Sequence, residues 1–241
     1  MIPLVLVHGF MGGSAQWGPQ QEYFAGQIPL VSVDLPGFGQ NAHLPPVSRI
    51  EAFADWVVAA LRAKGVDRYH LLGHSMGGMI AQEIARRDAK CVERLVLYST
   101  GAKGVLPGRF ETIAQSKSRV LADGPQQTAR RIAATWFLHT HEDPGFEHCA
   151  QIAQLAGPEA MLAGLDAMDA WSGEDELSQI CSKTLVIWGD RDRTYPWQQI
   201  QTLWGAIPDV GLSVVAGCAH AVHLEKPDLF NRLLGDFLLQ K

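Results

Sequence analysis

A serine framed by glycines is the residue of this sequence whose chemical use is easiest to infer. Ser75 stands in Gly73-His74-Ser75-Met76-Gly77, after an apolar run and before a helical pattern. Glycines two residues to either side permit a very sharp strand-to-helix turn, because neighbouring backbones can approach without a Cβ clash. Such a turn holds the hydroxyl at a helix N-terminus, which favours developing negative charge. We therefore predict that Ser75 is a nucleophile and that the His74 side chain points away from the site.

Two later loops carry side chains that could activate this serine. Asp190 and Asp192 follow one apolar run, and His220 and His223 follow another. A serine hydroxyl is a poor nucleophile at neutral pH, so it requires an imidazole to take its proton and a carboxylate to orient that imidazole. The order serine, aspartate, histidine along the chain fits such a site. Each loop would supply one member, and the chemistry alone does not choose within either pair.

A glycine-rich loop near the N-terminus could stabilise the charge that the serine creates. The segment His8-Gly9-Phe10-Met11-Gly12-Gly13 follows an apolar run. Attack on a carbonyl group produces an oxyanion that needs preorganised N–H donors. We predict the backbone N–H groups of Phe10 and Met76 as those donors. A second loop, Asp34 to Gly39, lacks the G-x-G-x-x-G pattern of dinucleotide binding, so we interpret it as a structural turn near the site and Asp34 as a turn or packing carboxylate.

The strands that must position these loops are indicated by short apolar runs. Most runs are continuously apolar and do not alternate between apolar and polar residues. Continuous runs are typical of parallel strands covered by helices on both faces. Strand and helix patterns alternate, which predicts an α/β fold with a mostly parallel central sheet flanked by helices. The strand runs are 3–7, 30–33, 69–72, 95–98, 184–188 and 212–215, and the helical patterns among them are 50–64, 76–87 and 227–240.

The alternation stops between about residues 102 and 181, where the patterns are helical (110–121, 125–137 and 158–171) and no strand is evident. We expect residues 1–101 and 182–241 to form the core and residues 102–181 to form a helical lid inserted between two strands. An apolar pocket between the serine and this lid would suit a small or medium acyl or alkyl group. The lid side chains predicted to bind substrate are Trp136, Phe137, Met161 and Trp171, with Phe110, Phe146, Leu162 and Met168 nearby.

A cluster of metal-ligand residue types also lies in this segment: His139, His141, Glu142, Asp143, His148 and Cys149. Its spacing matches no familiar metal motif, so we interpret it as a polar loop joining two lid helices. We predict no metal site and no organic cofactor.

Composition excludes several other classes. Of 241 residues, 47% are hydrophobic and 19% charged, which is the balance of an ordinary globular chain. The formal net charge of -5 argues against a nucleic-acid partner, and the scattered Lys and Arg residues argue against a membrane-surface partner. Four separated cysteines indicate reduced thiols, and the apolar run at residues 2–7 is too short for a signal peptide or a span. We expect a cytoplasmic monomer or small homo-oligomer acting on a small molecule.

Taken together, these motifs resemble the α/β-hydrolase family over nearly the whole chain. The resemblance rests on His8-Gly9-Phe10, Asp34 with Gly37 and Gly39, the Ser75 motif, the 189–192 segment, and His220 with Glu225 and Pro227. The family's acid usually ends a G-x-x-D group, which implies Asp192 rather than Asp190. Its base usually stands five residues before Glu in H-x-x-x-x-E-x-P, which implies His220 rather than His223. The family usually has two strands before the His-Gly strand, whereas here that strand begins the chain.

Within the family, the sequence is most similar to small microbial carboxylesterases and enol-lactone hydrolases. This implies a serine esterase that cleaves a small to medium carboxylic ester or lactone through an acyl-enzyme. One alternative is a carbon–carbon-bond hydrolase or lyase acting on a ring-cleavage or cyclohexadiene-carboxylate type of substrate. The hydrolases of that group often carry a tryptophan just after the base, where this chain has Ala221-Val222. A third possibility, from another class, is a ligand-binding receptor that retains the triad without turning over.

Overall fold

Six parallel strands form one sheet in the computed structural model, which describes residues 1–105 and 110–239. The sheet order is β2-β1-β3-β4-β5-β6, and each neighbouring pair is parallel. Each of the six predicted runs lies wholly or largely within one of these strands, which confirms the predicted parallel α/β sheet. The strands are β1 Leu4–Val7, β2 Leu30–Val33, β3 Tyr69–His74, β4 Val92–Tyr98, β5 Lys183–Gly189 and β6 Val210–Val215.

Helices cover both faces of the sheet. Val5 and Val7 belong to the buried cluster that includes α2 and α3, whereas Leu4 and Leu6 belong to the cluster that includes α1 and α10. Successive side chains of a strand point to opposite faces, so a strand buried on both must be apolar throughout. The helices are α1 Gly18–Phe24, α2 Ile50–Ala63, α3 Met76–Arg87, α4 Ile113–Asp123, α5 Pro125–Ala134, α6 Phe146–Ala153, α7 Pro158–Asp169, α8 Trp197–Ala206, α9 Val222–Glu225 and α10 Pro227–Leu239.

The strand order reverses direction beside β1, which lies between β2 and β3. The chain leaves β1 toward β2 on one side and returns to β3 on the other, so the loops after β1 and β3 diverge. Val7 pairs with Gly73, and His74 pairs with Tyr98, so the carboxyl ends of β1, β3 and β4 meet at one edge. A crevice at such a reversal is the usual ligand site of an open parallel sheet.

Residues 102–181, here called the helical insertion, connect β4 to β5. The three predicted helical patterns correspond to α4, α5 and α7. The prediction of a single polar loop around residues 139–149 was wrong in part, because His148 and Cys149 lie within α6. The buried residues Phe146, Cys149 and Ala150 lie at helical spacing, but this helix is only 8 residues long, so the pattern is short in the sequence. Residue 240, the predicted end of α10, lies outside the described part of the chain.

All four cysteine thiols are free of disulfide bonds. Within residues 1–105 and 110–239, no helix combines the length and the apolar character that a membrane crossing requires.

Candidate active site

Ser75 occupies the sharp turn that the glycine spacing predicts. It is the single residue between β3 and α3, and its backbone angles are φ 57° and ψ −122°. A side chain with a Cβ rarely adopts this conformation, which costs on the order of 1–3 kcal/mol. Gly77, on the first turn of α3, packs so closely that a Cβ there would overlap the carbonyl oxygens of Val7 and His8. The turn therefore lies directly against the end of β1.

An imidazole and a carboxylate pair at the same edge of the sheet. His220 Nδ1 lies 2.8 Å from Asp192 Oδ2, and both side chains are buried, with exposures of 2% and 0%. The second carboxylate oxygen, Oδ1, accepts hydrogen bonds from the N–H groups of Thr194 (2.7 Å) and Tyr195 (3.2 Å). These two bonds fix the orientation of the carboxylate, so that Oδ2 faces the imidazole. The structure thus brings together the aspartate and the histidine that the resemblance implied.

Asp190 binds the backbone of a neighbouring loop and not the imidazole of His220. Its Oδ1 accepts the N–H of Gly217 at 2.7 Å, and its other oxygen faces Arg191. The bond to Gly217 ties the loop after β5 to the loop after β6.

His74 and His223 lie beneath the base in a buried polar cluster. His74 Nε2 lies 3.2 Å from the carbonyl oxygen of His220, and the Tyr98 hydroxyl donates to the same oxygen at 2.9 Å. His223 Nδ1 contacts that hydroxyl at 2.9 Å. Gln16 Nε2 lies 3.4 Å from His74 Nδ1 and 3.5 Å from His223 Nε2. Neutral rings satisfy every contact: Gln16 donates to both histidines, His74 Nε2–H donates to the carbonyl, and His223 Nδ1–H donates to Tyr98.

The environment of these two rings keeps them uncharged. Burial, followed by the neighbouring His220 and His223, lowers the pKa of His74 well below its ordinary value. Burial and then His220 lower the pKa of His223 to about 3. The cluster therefore supports the backbone of His220 without adding charge beside it.

The glycine-rich loop after β1 lies against the serine. A Cβ on Gly9 would lie 2.8 Å from Ser75 Cβ and 3.3 Å from Ser75 Oγ, so the loop after β1 runs alongside the nucleophile candidate. Met76 is the first residue of α3, and its N–H has no acceptor within the helix. The Phe10 N–H likewise has no acceptor among the described residues. Both N–H groups therefore remain available to an oxyanion.

His8 and Asp34 brace this loop. His8 Nδ1 lies 2.8 Å from the Gly9 carbonyl oxygen, and His8 Nε2 accepts the Leu35 N–H at 2.9 Å. Burial lowers the pKa of His8, which keeps Nε2 able to accept. Asp34 accepts both the N–H (2.8 Å) and the hydroxyl (2.6 Å) of Ser14. Asp34 is thus a structural carboxylate.

A small cavity of about 20 Å³ opens onto Ser75 and His220. That volume holds about one water molecule. Of the four lid residues predicted to bind substrate, Trp136 borders it, whereas Phe137, Met161 and Trp171 are buried elsewhere. Trp171, for example, donates its indole N–H to Glu83 at 3.1 Å. The lining residues are Phe10, Ser75, Gly104, Phe110, Ile132, Trp136, Met168, Thr194, Tyr195 and His220.

Ser75 Oγ and His220 border the same cavity, but no hydrogen bond between them exists in the described structure. The contact of Oγ is instead the Tyr195 hydroxyl, at 3.5 Å. Such contacts are often long in unliganded sites and shorten when substrate binds. No role was predicted for Thr194 or Tyr195 from the sequence. The available signal was their position two and three residues after Asp192 in the same loop.

The helical insertion is fastened to the loop that carries the base. The carbonyl oxygen of Trp136 accepts the N–H groups of His220 (3.0 Å) and Ala221 (2.9 Å). The Glu225 carboxylate accepts the N–H groups of Leu138 (2.7 Å) and Ala219 (2.8 Å), so it joins insertion and loop directly. Burial raises the pKa of Glu225 despite these two bonds, which act in the opposite direction.

The loop that carries the acid holds the same stretch of the insertion. Arg193 donates to the carbonyl oxygens of Phe137 (2.8 Å) and Leu138 (3.0 Å). Residues 136–138 therefore contact both loops, and Trp136 is held over the cavity for this reason.

Among the described residues, no group of three or more His, Cys, Asp or Glu side chains is arranged to hold a metal ion. The cluster singled out in the sequence is spread over a turn and α6, where His148 Nε2 lies 3.1 Å from the Ala15 carbonyl oxygen and His141 packs on the Phe146 ring.

The model of the alpha/beta hydrolase fold family matches residues 2–227. The chain therefore belongs to the α/β-hydrolase family, which confirms the resemblance found in the motifs. It is similar to RutD of Agrobacterium fabrum, whose name proposes a carbamate hydrolase activity. The two are 29% identical over 243 residues, which cover 98% of this chain and 92% of RutD.

Solved structures show the same fold. The enol-lactonase from Burkholderia xenovorans LB400 superposes with a TM-score of 0.90 at 23% identity, over 100% of this chain and 92% of that one. A thermophilic esterase from Thermogutta terrifontis superposes with a TM-score of 0.88 at 26% identity, over 99% and 90% of the two chains. These relatives support a hydrolase that acts on a small molecule.

Proposed function

We propose that this protein is a serine esterase that hydrolyses a small carboxylic ester or lactone, with Ser75 as nucleophile, His220 as general base and Asp192 as the group that orients the base. The observation that carries the proposal is the buried His220–Asp192 pair at 2.8 Å, with its imidazole bordering the cavity that Ser75 also borders. An imidazole oriented in this way is what a serine hydroxyl requires for activation.

In the acylation step, His220 Nε2 takes the hydroxyl proton as Ser75 Oγ bonds to the carbonyl carbon. The carbonyl π electrons move onto oxygen, and the N–H groups of Phe10 and Met76 stabilise the oxyanion. Collapse of this intermediate breaks the bond to the leaving alcohol, which receives the proton from His220. Asp192 stabilises the imidazolium that exists between the two transfers.

In the deacylation step, a water molecule occupies the place of the departed alcohol. His220 takes one of its protons as the water oxygen attacks the acyl carbon. The second tetrahedral intermediate expels Ser75 Oγ, which regains its proton, and the carboxylic acid leaves.

We further propose that residues 1–101 and 182–241 form the catalytic core and that residues 102–181 form its lid. The insertion contributes Phe110, Ile132, Trp136 and Met168 to the cavity wall, and these side chains are apolar. Because the cavity holds about one water molecule, any ester requires its walls to move, and a short acyl chain requires less movement than a long one.

Carbamate hydrolysis is a second candidate, because RutD matches 98% of this chain. The same groups could attack a carbamate carbonyl. An ester and a carbamate of one alcohol share the leaving oxygen, so the two candidates differ in the acyl part and not in the nucleophile. Comparing an ester with the carbamate of the same alcohol, at matched concentrations, decides between them.

The test combines a panel of p-nitrophenyl esters from acetate to palmitate with a serine-directed fluorophosphonate probe. We expect turnover of the short esters and stoichiometric labelling of the wild type, and neither for Ser75→Ala. Ser99→Ala is a matched control, because Ser99 is also buried and its hydroxyl has no partner in the described structure. That control should react like the wild type.

Labelling of Ser75→Ala at the wild-type rate would contradict the proposed nucleophile. Labelling of the wild type without turnover of any ester, carbamate or dienoate substrate would indicate the receptor class instead. Good activity on a dienoate substrate with no ester turnover would indicate the carbon–carbon-bond hydrolases.

A further inference from the structure

The Tyr195 hydroxyl lies 3.5 Å from Ser75 Oγ and is the side-chain group with which that oxygen forms a hydrogen-bond contact. It borders the cavity together with Ser75 and His220. The side chain is almost completely buried, with 1% exposure. A buried phenol directed at a nucleophile can contact whatever that nucleophile attacks.

Hydrogen bonds to its backbone N–H and to its carbonyl oxygen fix the position of Tyr195. Its N–H donates to Asp192 Oδ1 at 3.2 Å, and its carbonyl oxygen accepts the Trp188 indole N–H at 2.9 Å. Its ring lies nearly parallel to the His220 imidazole, with an interplanar angle of 14° and 5.7 Å between centroids. The phenol ring is therefore held at a fixed position relative to Asp192 and His220.

The position of Tyr195 relative to His220 determines which part of a substrate its hydroxyl contacts. The oxyanion occupies the side of Phe10 N–H and Met76 N–H, whereas the leaving atom must face His220, which returns the proton to it. The Tyr195 ring stands beside His220, so its hydroxyl reaches Ser75 Oγ from the imidazole side.

We propose that Tyr195 is a further catalytic residue, whose hydroxyl donates a hydrogen bond to the leaving oxygen of the substrate during acylation. The inference rests on the proposed function and specifies the chemistry of the leaving group. No proton is transferred from Tyr195: His220 delivers the proton, and the phenol stabilises the negative charge that develops on the same atom as its bond to carbon breaks.

The arrangement suits oxygen and not nitrogen as the leaving atom. An ester or lactone oxygen has two lone pairs, so one can take the proton from His220 while the other accepts from Tyr195. An amide nitrogen, or a carbamate nitrogen where that is the atom that leaves, has one lone pair in the tetrahedral intermediate, which the His220 proton uses. The hydroxyl thus adds stabilisation for esters and lactones that a nitrogen leaving group cannot receive.

The experiment measures how kcat/KM depends on the leaving group for wild type, Tyr195→Phe and Thr194→Val. Three acetate esters of p-nitrophenol, phenol and ethanol share one acyl group and differ in leaving-group basicity. Because kcat/KM includes only steps up to the end of acylation, a slow deacylation does not mask the effect. Thr194→Val is the matched control, since Thr194 borders the same cavity and follows Asp192 in the same loop.

We expect Tyr195→Phe to lower kcat/KM at least about tenfold for the ethyl ester and less than about threefold for the p-nitrophenyl ester, since a basic leaving group needs the donor most. Thr194→Val should change kcat/KM by the same factor for all three esters. The comparison is a ratio within one preparation, so a reduced fraction of folded enzyme cancels.

An equal loss on all three esters, or no loss, would overturn the role of Tyr195. If the wild type hydrolyses none of the esters, the proposed function fails and the inference fails with it. The two failures are distinct, because the first appears in the variant and the second in the wild type.

Discussion

Replacing Ser75 by glycine should stabilise the protein relative to replacing it by alanine, although both variants lose turnover. The two variants lack the hydroxyl alike and differ only in the Cβ. Ser75 has φ 57° and ψ −122°, a conformation that glycine adopts readily and alanine does not. At an ordinary position the order is the reverse, since glycine gains more freedom in the unfolded chain than alanine does.

The size of the effect follows from three contributions. Relief of the backbone strain is worth on the order of 1–3 kcal/mol. The greater freedom of glycine in the unfolded chain costs about 0.4–1 kcal/mol. Loss of a buried carbon costs at most about 0.8 kcal/mol, and less here because Ser75 borders a cavity. The net expectation is about 1 kcal/mol in favour of Ser75→Gly, or roughly 2–4 °C in Tm for a chain of this length.

The assay is urea unfolding followed by circular dichroism, with Tm from calorimetry as a second measure. Ala59→Gly is the control, because Ala59 is an exposed residue within α2, where glycine should cost about 0.5–1 kcal/mol. The reasoning is refuted if Ser75→Ala proves as stable as Ser75→Gly while Ala59→Gly behaves as expected.

Substitutions at Asp192, Glu225 and Met168 test the acid, the contact between the base loop and the insertion, and the cavity wall. Asp192→Asn should lower kcat on p-nitrophenyl acetate by about 10⁴-fold with the fold intact, because the imidazole loses its orienting charge; a drop below tenfold would argue against the proposed role. Glu225→Gln should lower the free energy of unfolding by about 2 kcal/mol, because one of its two N–H donors then faces an amide NH₂. Burial raises the pKa of Glu225, so the folded state holds this proton more tightly than the unfolded chain does. The advantage of wild type over Glu225→Gln should therefore be largest below the ordinary pKa of 4.5 and shrink as the pH rises through the raised pKa, which urea unfolding at pH 4 and pH 7.5 would measure. Met168→Ala should enlarge the cavity and raise the ratio of kcat/KM for p-nitrophenyl butyrate over acetate several-fold; an unchanged ratio would place the acyl chain elsewhere.

Local patterns in the sequence were sufficient to predict the strands of the sheet and the motifs at its edge. A strand covered on both faces must be apolar at every position, and each of the six runs meets that condition over most of its length. The short glycine-framed motif around Ser75 predicted the sharp turn, because few other residue types permit it. The choice of Asp192 and His220 came from the family resemblance, and the structure pairs those two side chains.

Only the tertiary structure decided which side chains of the insertion face Ser75. Trp136, Phe137 and Trp171 are equally apolar in the sequence, yet Trp136 alone of these borders the cavity. Its backbone is held by His220 and Ala221, more than 80 residues further along the chain, and no local pattern records such contacts.

The same holds for the groups around the base. The sequence indicated no catalytic role for His74 and His223, but in the folded protein both lie beneath His220 and beside Tyr98. The fold also directs the Tyr195 hydroxyl toward Ser75. Composition and spacing determined the fold class and the reactive motifs, because those depend on periodicity along the chain. The cavity and the groups supporting the base depend on packing between segments far apart in sequence, which periodicity does not encode.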